Sequence, residues 1–275
     1  MNDVSPNQPI EENSTPKCNT PESCSLNECC IFLCEYAARL LGSGATCIRV
    51  EKNVNRIARA LGYQVVMTIL PRHVHMTVCT PDHSDSYTYI SSPGNSPISF
   101  EVNTRLSELS WEISDGRVPF REARRRMEEV LASSHAIPAL PLLVGLANAS
   151  FCRLFGGDVY AMGAVFAATI AGFYLKQLLA GRHINVLLIF IICSFVSSVL
   201  AAGAGLFHLG ETPQTAIATS VLYLVPGIPF LNSFSDLLAG HYICAFSRFI
   251  NATVLTCCLS IGLCGGMVMM HTGMF

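Results

Sequence analysis

Residues 220–236 read SVLYLVPGIPFLNSFSD, and the reading of this stretch decides what kind of protein the chain is. It begins with the side chains of a membrane helix, yet Pro226, Gly227 and Pro229 stand near its middle, and Asn232, Ser233, Ser235 and Asp236 close it. Each proline removes a backbone donor and clashes with the turn before it. The carbonyls of Leu222 and Val225 therefore lose their usual helical partners. In hydrocarbon such groups must be satisfied inside the protein, so broken helices survive only where protein or a water-filled cavity surrounds them.

Outward from this stretch the chain divides in two. It has 275 residues, 51% hydrophobic and 13% charged, against about 25% charged in ordinary soluble proteins. From residue 136 onward the charged residues are Arg153, Asp158, Lys176, Arg182, Glu211, Asp236 and Arg248. Between them lie five apolar windows, 136–152, 159–175, 184–207, 212–235 and 249–270, of 17, 17, 24, 24 and 22 residues. A spanning helix needs about 20 residues, with a range of roughly 17 to 25. The expectation is an α-helical integral membrane protein with five transmembrane helices, preceded by an N-terminal cytoplasmic α+β domain. The boundaries read as a disordered tail at 1–25, a cytoplasmic domain at 26–135 and a membrane domain at 136–275. Spans are expected near 136–155, 159–177, 184–207, 213–234 and 247–270.

The basic residues set the orientation. Arg117, Arg121 and Arg124 to Arg126 precede the first span, Lys176 and Arg182 flank the second connection, and Arg248 flanks the fourth. The opposite side carries only Arg153, with Asp158 and Glu211. A cytoplasmic N-terminus and an external C-terminus satisfy this pattern. The first 25 residues hold no secretory signal and are too polar to fold alone.

In the polar half, apolar spacing predicts helix over 27–61, interrupted at Gly42-Ser43-Gly44 and stopped by Gly62. Residues 64–70 and 74–79 read as a hairpin, 87–90 and 98–102 as further strand candidates, and 104–115 and 118–134 as helices. Within GSGATCIRVE (42–51), Gly44 allows a turn between helices. Arg49 and Glu51, two apart, cannot lie side by side on a helix, so each needs its own partner. This is a structural helix corner or a coupling element at the membrane face.

Pro229 and the residues after it can open a half-helix whose free amides suit a carboxylate; a simple packed kink is the bland alternative. Asp236, with Asn232 one turn earlier on the same face, reads as a proton relay, a ligand for a coupling ion, or an interfacial cap of a helix over 236–247. Asn148 and the serines Ser194, Ser197 and Ser198 either line the same cavity or bond between helices. Thirteen cysteines form no spaced metal pattern, and His73 and His75 share only a strand face. No phosphate loop, G-x-S-x-G elbow or H-E-x-x-H helix is present. No enzyme activity, cofactor or metal is expected, and a net charge of -2 indicates no nucleic-acid partner.

Taken together, GATCIRVEKNVNRIARALGY (44–63), LSELSWEISDGRVPFREARRRMEEV (106–130), FGG (155–157) and PGIPFLNSFSDLLAG (226–240) resemble the threonine/serine exporter family over roughly residues 30–270. The resemblance implies secondary export of small metabolites from the cytoplasm through the cell (inner) membrane, of threonine and serine in some members and of succinate in two-gene relatives. It also implies the larger subunit of a split exporter, with a second small membrane subunit as partner and an oligomeric assembly in the lipid bilayer. A membrane-anchored regulatory or scaffold protein with a sensing domain is the alternative.

Overall fold

The computed structural model describes residues 24–94, 98–133, 138–182, 184–206 and 211–270. Most of the expected tail, 1–23, lies outside them. Helix α1 (Leu26–Gly42) opens with a reciprocal cap in which Ser25 and Glu28 satisfy each other's backbone amides. Helix α2 (Cys47–Ala60) follows after a corner at Gly44, whose φ of +93° is left-handed. A side chain there would also strike Ile98, 2.7 Å from an ideal Cβ, so glycine is required twice over.

Strands β1 (Gln64–Ile69), β2 (Val74–Cys79) and β3 (Ser86–Ser91) form an antiparallel meander in that order. Central strand β2 buries Val74, Met76 and Val78 on alternate positions, while the other face stays partly open to solvent. Leu33, Leu40, Val50, Val54, Ile57 and Leu106 complete this core. Cys30 and Cys34 donate their thiols to strand carbonyls, at 3.4 Å to Tyr87 and 3.3 Å to Val74. Burial pushes the Cys34 thiol up to about 12. Helix α3 (Phe100–Ser114) and helix α4 (Phe120–Ala132) close the layer. The expected strand at 98–102 is thereby corrected. Ser99 accepts from the Val102 amide and starts a helix, and a local cap overrides the strand-like alternation of Ile98, Phe100 and Val102.

The apolar half contains α5 (Leu140–Leu154), α6 (Val159–Gly181), α7 (Val186–Leu206), α8 (Pro213–Ser220), a 3-10 turn at Leu222–Leu224, α9 (Gly227–Leu238) and α10 (Tyr242–Met269). Three of these, α6, α7 and α10, are long and apolar enough to cross a membrane. The pair Pro213–Leu224 and Gly227–Leu238, bent by 60°, makes up to four. Helix α5 is apolar but has only 15 residues, about 22 Å at 1.5 Å per residue. Small residues set the helix contacts. A Cβ on Gly262 would overlap Ile191 O and Ser194 Oγ, and one on Gly266 would overlap Ser198 Oγ. Backbones of α7 and α10 thus meet at distances that larger side chains forbid.

Candidate functional site

The helix break is self-satisfied. Pro226, at φ −79° and ψ 58°, is the centre of an inverse γ-turn in which the Gly227 amide donates to Val225 O at 2.8 Å. The Val225 amide donates to Leu222 O at 3.1 Å. Both carbonyls expected to be left open by the prolines are therefore taken, because a tight turn replaces each missing helical donor with a nearer one. At the start of α9 the Phe230 amide returns to Pro226 O at 3.4 Å, and Pro229 has no N–H. Of the first-turn amides only that of Ile228 lacks a partner among the described residues. One amide is not a cradle for a carboxylate.

The other end of α9, nine residues from Gly227 or about 14 Å along the axis, does something different. It clasps the α1–α2 corner. Asn232 donates from Nδ2 to Gly44 O at 2.8 Å, and the Cys47 amide donates to Asp236 Oδ1 at 2.7 Å. Arg248, from α10, donates through Nη2 to Ala45 O at 2.8 Å, and its Nη1 lies 3.0 Å from Asp236 Oδ2. That last pair is close but misses hydrogen-bond angles, so it is a charge pairing rather than a formed bond. Asp236 has a fully buried side chain and Arg248 one that is 20% exposed.

Helix α2 explains why the carboxylate is there. Its N-cap residue, Thr46, makes no side-chain cap, so the leading amide of α2, that of Cys47, has no local acceptor at the positive end of the helix dipole. Asp236 fills this position from 189 residues away. The expected cap of a helix over 236–247 is corrected on this point. Helix α9 runs on to Leu238, α10 starts at Tyr242, and the helix that Asp236 caps is α2.

Further contacts widen the clasp. Glu51 Oε1 lies 3.4 Å from His241 Nε2, an ion pair when the imidazole is protonated. The Cys244 thiol donates to Ile69 O at the end of β1 at 3.3 Å, and Ser233 donates to Ala245 O at 2.7 Å, tying α9 to α10. Cys47, whose thiol donates a hydrogen bond to the Cys244 sulfur, is buried and beside the Asp236 charge, and these push its thiol far above the ordinary range, so it stays protonated.

The structure thus brings Gly44, Glu51, Asn232 and Asp236 together. Arg49 turns the other way and donates to Asn103 Oδ1 at 3.0 Å, so Arg49 and Glu51 do have separate partners. Pro226, Gly227 and Pro229 lie at the far end of α9. Ser197 reaches that end through Tyr223, with 3.0 Å between hydroxyl oxygens, whereas Asn148 bonds Thr169 at 3.0 Å between α5 and α6. Ser194 donates to Leu259 O at 2.6 Å and Ser198 to Phe195 O at 2.8 Å. Sequence reasoning missed Arg248, His241 and Cys244 as members of the clasp. Arg248 offered a signal, being the sole charged residue after Asp236.

The family model described as "Putative threonine/serine exporter" (ThrE) matches residues 31–270, which include both the corner and the broken helix. A Klebsiella aerogenes protein named "Probable succinate transporter subunit YjjP" is 28% identical over 236 residues, 86% of this chain and 91% of its own. The Escherichia coli protein of the same name is 27% identical over 237 residues, covering 85% and 90%. A Mycobacterium tuberculosis protein named "Probable threonine/serine exporter" is 24% identical over 233 residues, 82% of this chain but 43% of its own length. No solved structure matches the chain.

Proposed function

The chain belongs to the threonine/serine exporter family, and from that premise we propose that it is the soluble-domain-bearing subunit of a secondary exporter of small amino acids or C4 dicarboxylates. Its cargo would be threonine or serine, as the family description names, or succinate, as its two bacterial relatives are named for. In this reading five segments cross the membrane: α5, α6, α7, the bent α8–α9 pair and α10. The soluble domain, 26–135, faces the cytoplasm, the C-terminus faces outward, and a second small membrane subunit completes the transporter. The "subunit" in the relatives' name supports such a partner. No metal or cofactor enters the mechanism, and energy comes from an ion or substrate gradient.

One observation carries the mechanistic part of the proposal: the buried carboxylate of Asp236, on the broken helix, caps a helix of the soluble domain. Helix α9 and the α1–α2 corner then move as one body, and the break at Pro226 is the joint between that body and α8. Export would proceed by rocking about this joint, with the soluble domain as lever. Asp236 acts here as coupling residue, and Gly44, Asn232 and Arg248 hold it.

Efflux of labelled threonine, serine and succinate from loaded cells tests this directly. Asp236→Asn and Pro226→Ala should abolish efflux while the protein remains in the membrane. Undiminished efflux in both variants would remove the site assignment. If only an anchored sensor were present, deletion of the soluble domain would leave efflux of all three solutes unchanged.

A further inference from the structure

We propose that Lys176, with Tyr223 and Ser197, binds the carboxylate of the cargo where the broken helix meets α6 and α7; this rests on the exporter reading above. Lys176 is the single charged residue within α6, five positions from its end. A lysine so placed ordinarily extends its ammonium along the helix into the headgroups. Here the Nζ instead lies 5.6 Å from the ring centroid of Phe190, and that ring is itself buried, on the first turns of α7. Among the described residues no carboxylate or carbonyl pairs with it. Lys176 is partly buried, and an aromatic face gives its ammonium no counter-ion.

The surroundings supply what a carboxylate needs besides charge. Gly172 and Lys176 share a face of α6, and Phe190, Cys193 and Ser197 share a face of α7. Tyr223 enters between them from the 3-10 turn directly ahead of Pro226. Its hydroxyl fills the space a Cβ on Gly172 would take and lies 3.0 Å from Ser197 Oγ. The Ser197–Tyr223 contact uses one of two O–H protons and leaves the other free to donate to a ligand. The ammonium of Lys176, one helical turn from Gly172, and one free hydroxyl proton near the joint of the broken helix suit a small organic acid. They do not suit its neutral amide. Binding there would also report directly to the joint, since Tyr223 is three residues from Pro226.

The test uses inside-out vesicles from the organism's own membranes, with the chromosomal copy replaced by each variant. Uptake of labelled succinate and threonine is measured against unlabelled succinate, threonine, succinamide and threonine amide. Wild type should prefer the acids to the amides. Lys176→Met should raise KM for the acids by about tenfold or more, the value of a charge-assisted bond, and erase that preference. Lys176→Arg should keep the preference, and Tyr223→Phe should raise KM by about threefold to tenfold. If Lys176→Met is absent from the membrane, Lys176→Gln and Tyr223→Phe are read for the same preference. Wild-type KM and preference in the neutralised variants would overturn the proposal. Equal impairment of the Met and Arg variants with the acid preference intact would also overturn it, leaving Lys176 a headgroup anchor. Vesicles of wild type that take up neither solute would instead sink the exporter reading itself.

Discussion

The N-terminal and apolar halves of this chain are packed by different rules. Of the largest fully buried side chains among the described residues, Tyr36, Leu33, Leu40, Ile57, Met76, Leu106, Val50, Val54, Val74 and Val78 belong to the N-terminal half, and Leu224 and Val165 to the other. The apolar half buries Ala168, Ala201, Ala202, Ser194, Ser197 and Ser198 alongside a smaller cluster around Ile189, Phe190 and Leu224, and turns Leu142, Leu146 and Phe151 outward. Water drives large apolar groups inward in the first case, at roughly 25 cal/mol per Å². Lipid gives no such drive, so close approach and interhelical hydrogen bonds hold the second. At the clasp neither rule operates alone. Polar groups of α9 and α10 there close open backbone groups of the α1–α2 corner.

The largest effect should come from breaking the clasp on one side only. Asp236→Ala leaves Arg248 largely buried without its counter-charge and the Cys47 amide without an acceptor. Removing one partner of a buried pair costs roughly 3–5 kcal/mol. Thermal unfolding in detergent should shift down steeply, and the double variant Asp236→Leu, Arg248→Met should recover part of the loss. An Asp236→Ala melt identical to wild type would mean that the two halves are not joined here.

The two packing rules predict reversed sensitivities. Leu33→Ala in the N-terminal core should cost about 2–5 kcal/mol, whereas Leu146→Ala, on an outward face, should stay within about 0.5 kcal/mol. Enlargement does the opposite. Gly266→Val drives a side chain into Ser198 and should cost about 1–3 kcal/mol through overpacking. Equal tolerance of Leu33→Ala and Leu146→Ala would end the comparison.

What the sequence discloses follows from the range of the physics involved. Helix periodicity, the hairpin at 64–79, the Gly44 corner and the break at Pro226 are local, and each can be read from neighbouring residues. The strand expected at 98–102 failed for a local reason that was also readable: Ser99 is a cap residue, and alternation over five positions is short. Counting uncharged windows marks where charge is absent rather than where a helix begins. Helix α5 starts at Leu140, after Pro138. The clasp could not be read at all. Asp236 and Cys47 are 189 residues apart, and a carboxylate at a membrane edge gives no sign of which helix end it will cap. The carbonyl partners at Pro226 lay between these cases, since an inverse γ-turn depends on one ψ angle that two prolines do not fix.

Within the clasp the smaller contacts should grade downward with their exposure. Asn232→Ala removes one neutral hydrogen bond to Gly44 O and should cost about 1 kcal/mol. Glu51→Gln should cost less, about 0–1 kcal/mol, because its side chain is 32% exposed and its partner is a histidine. These two variants also differ in kind. Ionic screening acts on exposed charge pairs and barely on a neutral, half-buried bond. Melting curves at low and at roughly 1 M salt should therefore converge for wild type and Glu51→Gln, while the gap between wild type and Asn232→Ala stays constant. A salt-dependent gap for Asn232→Ala would mean that its loss is felt through the neighbouring Asp236–Arg248 charges rather than through the bond to Gly44.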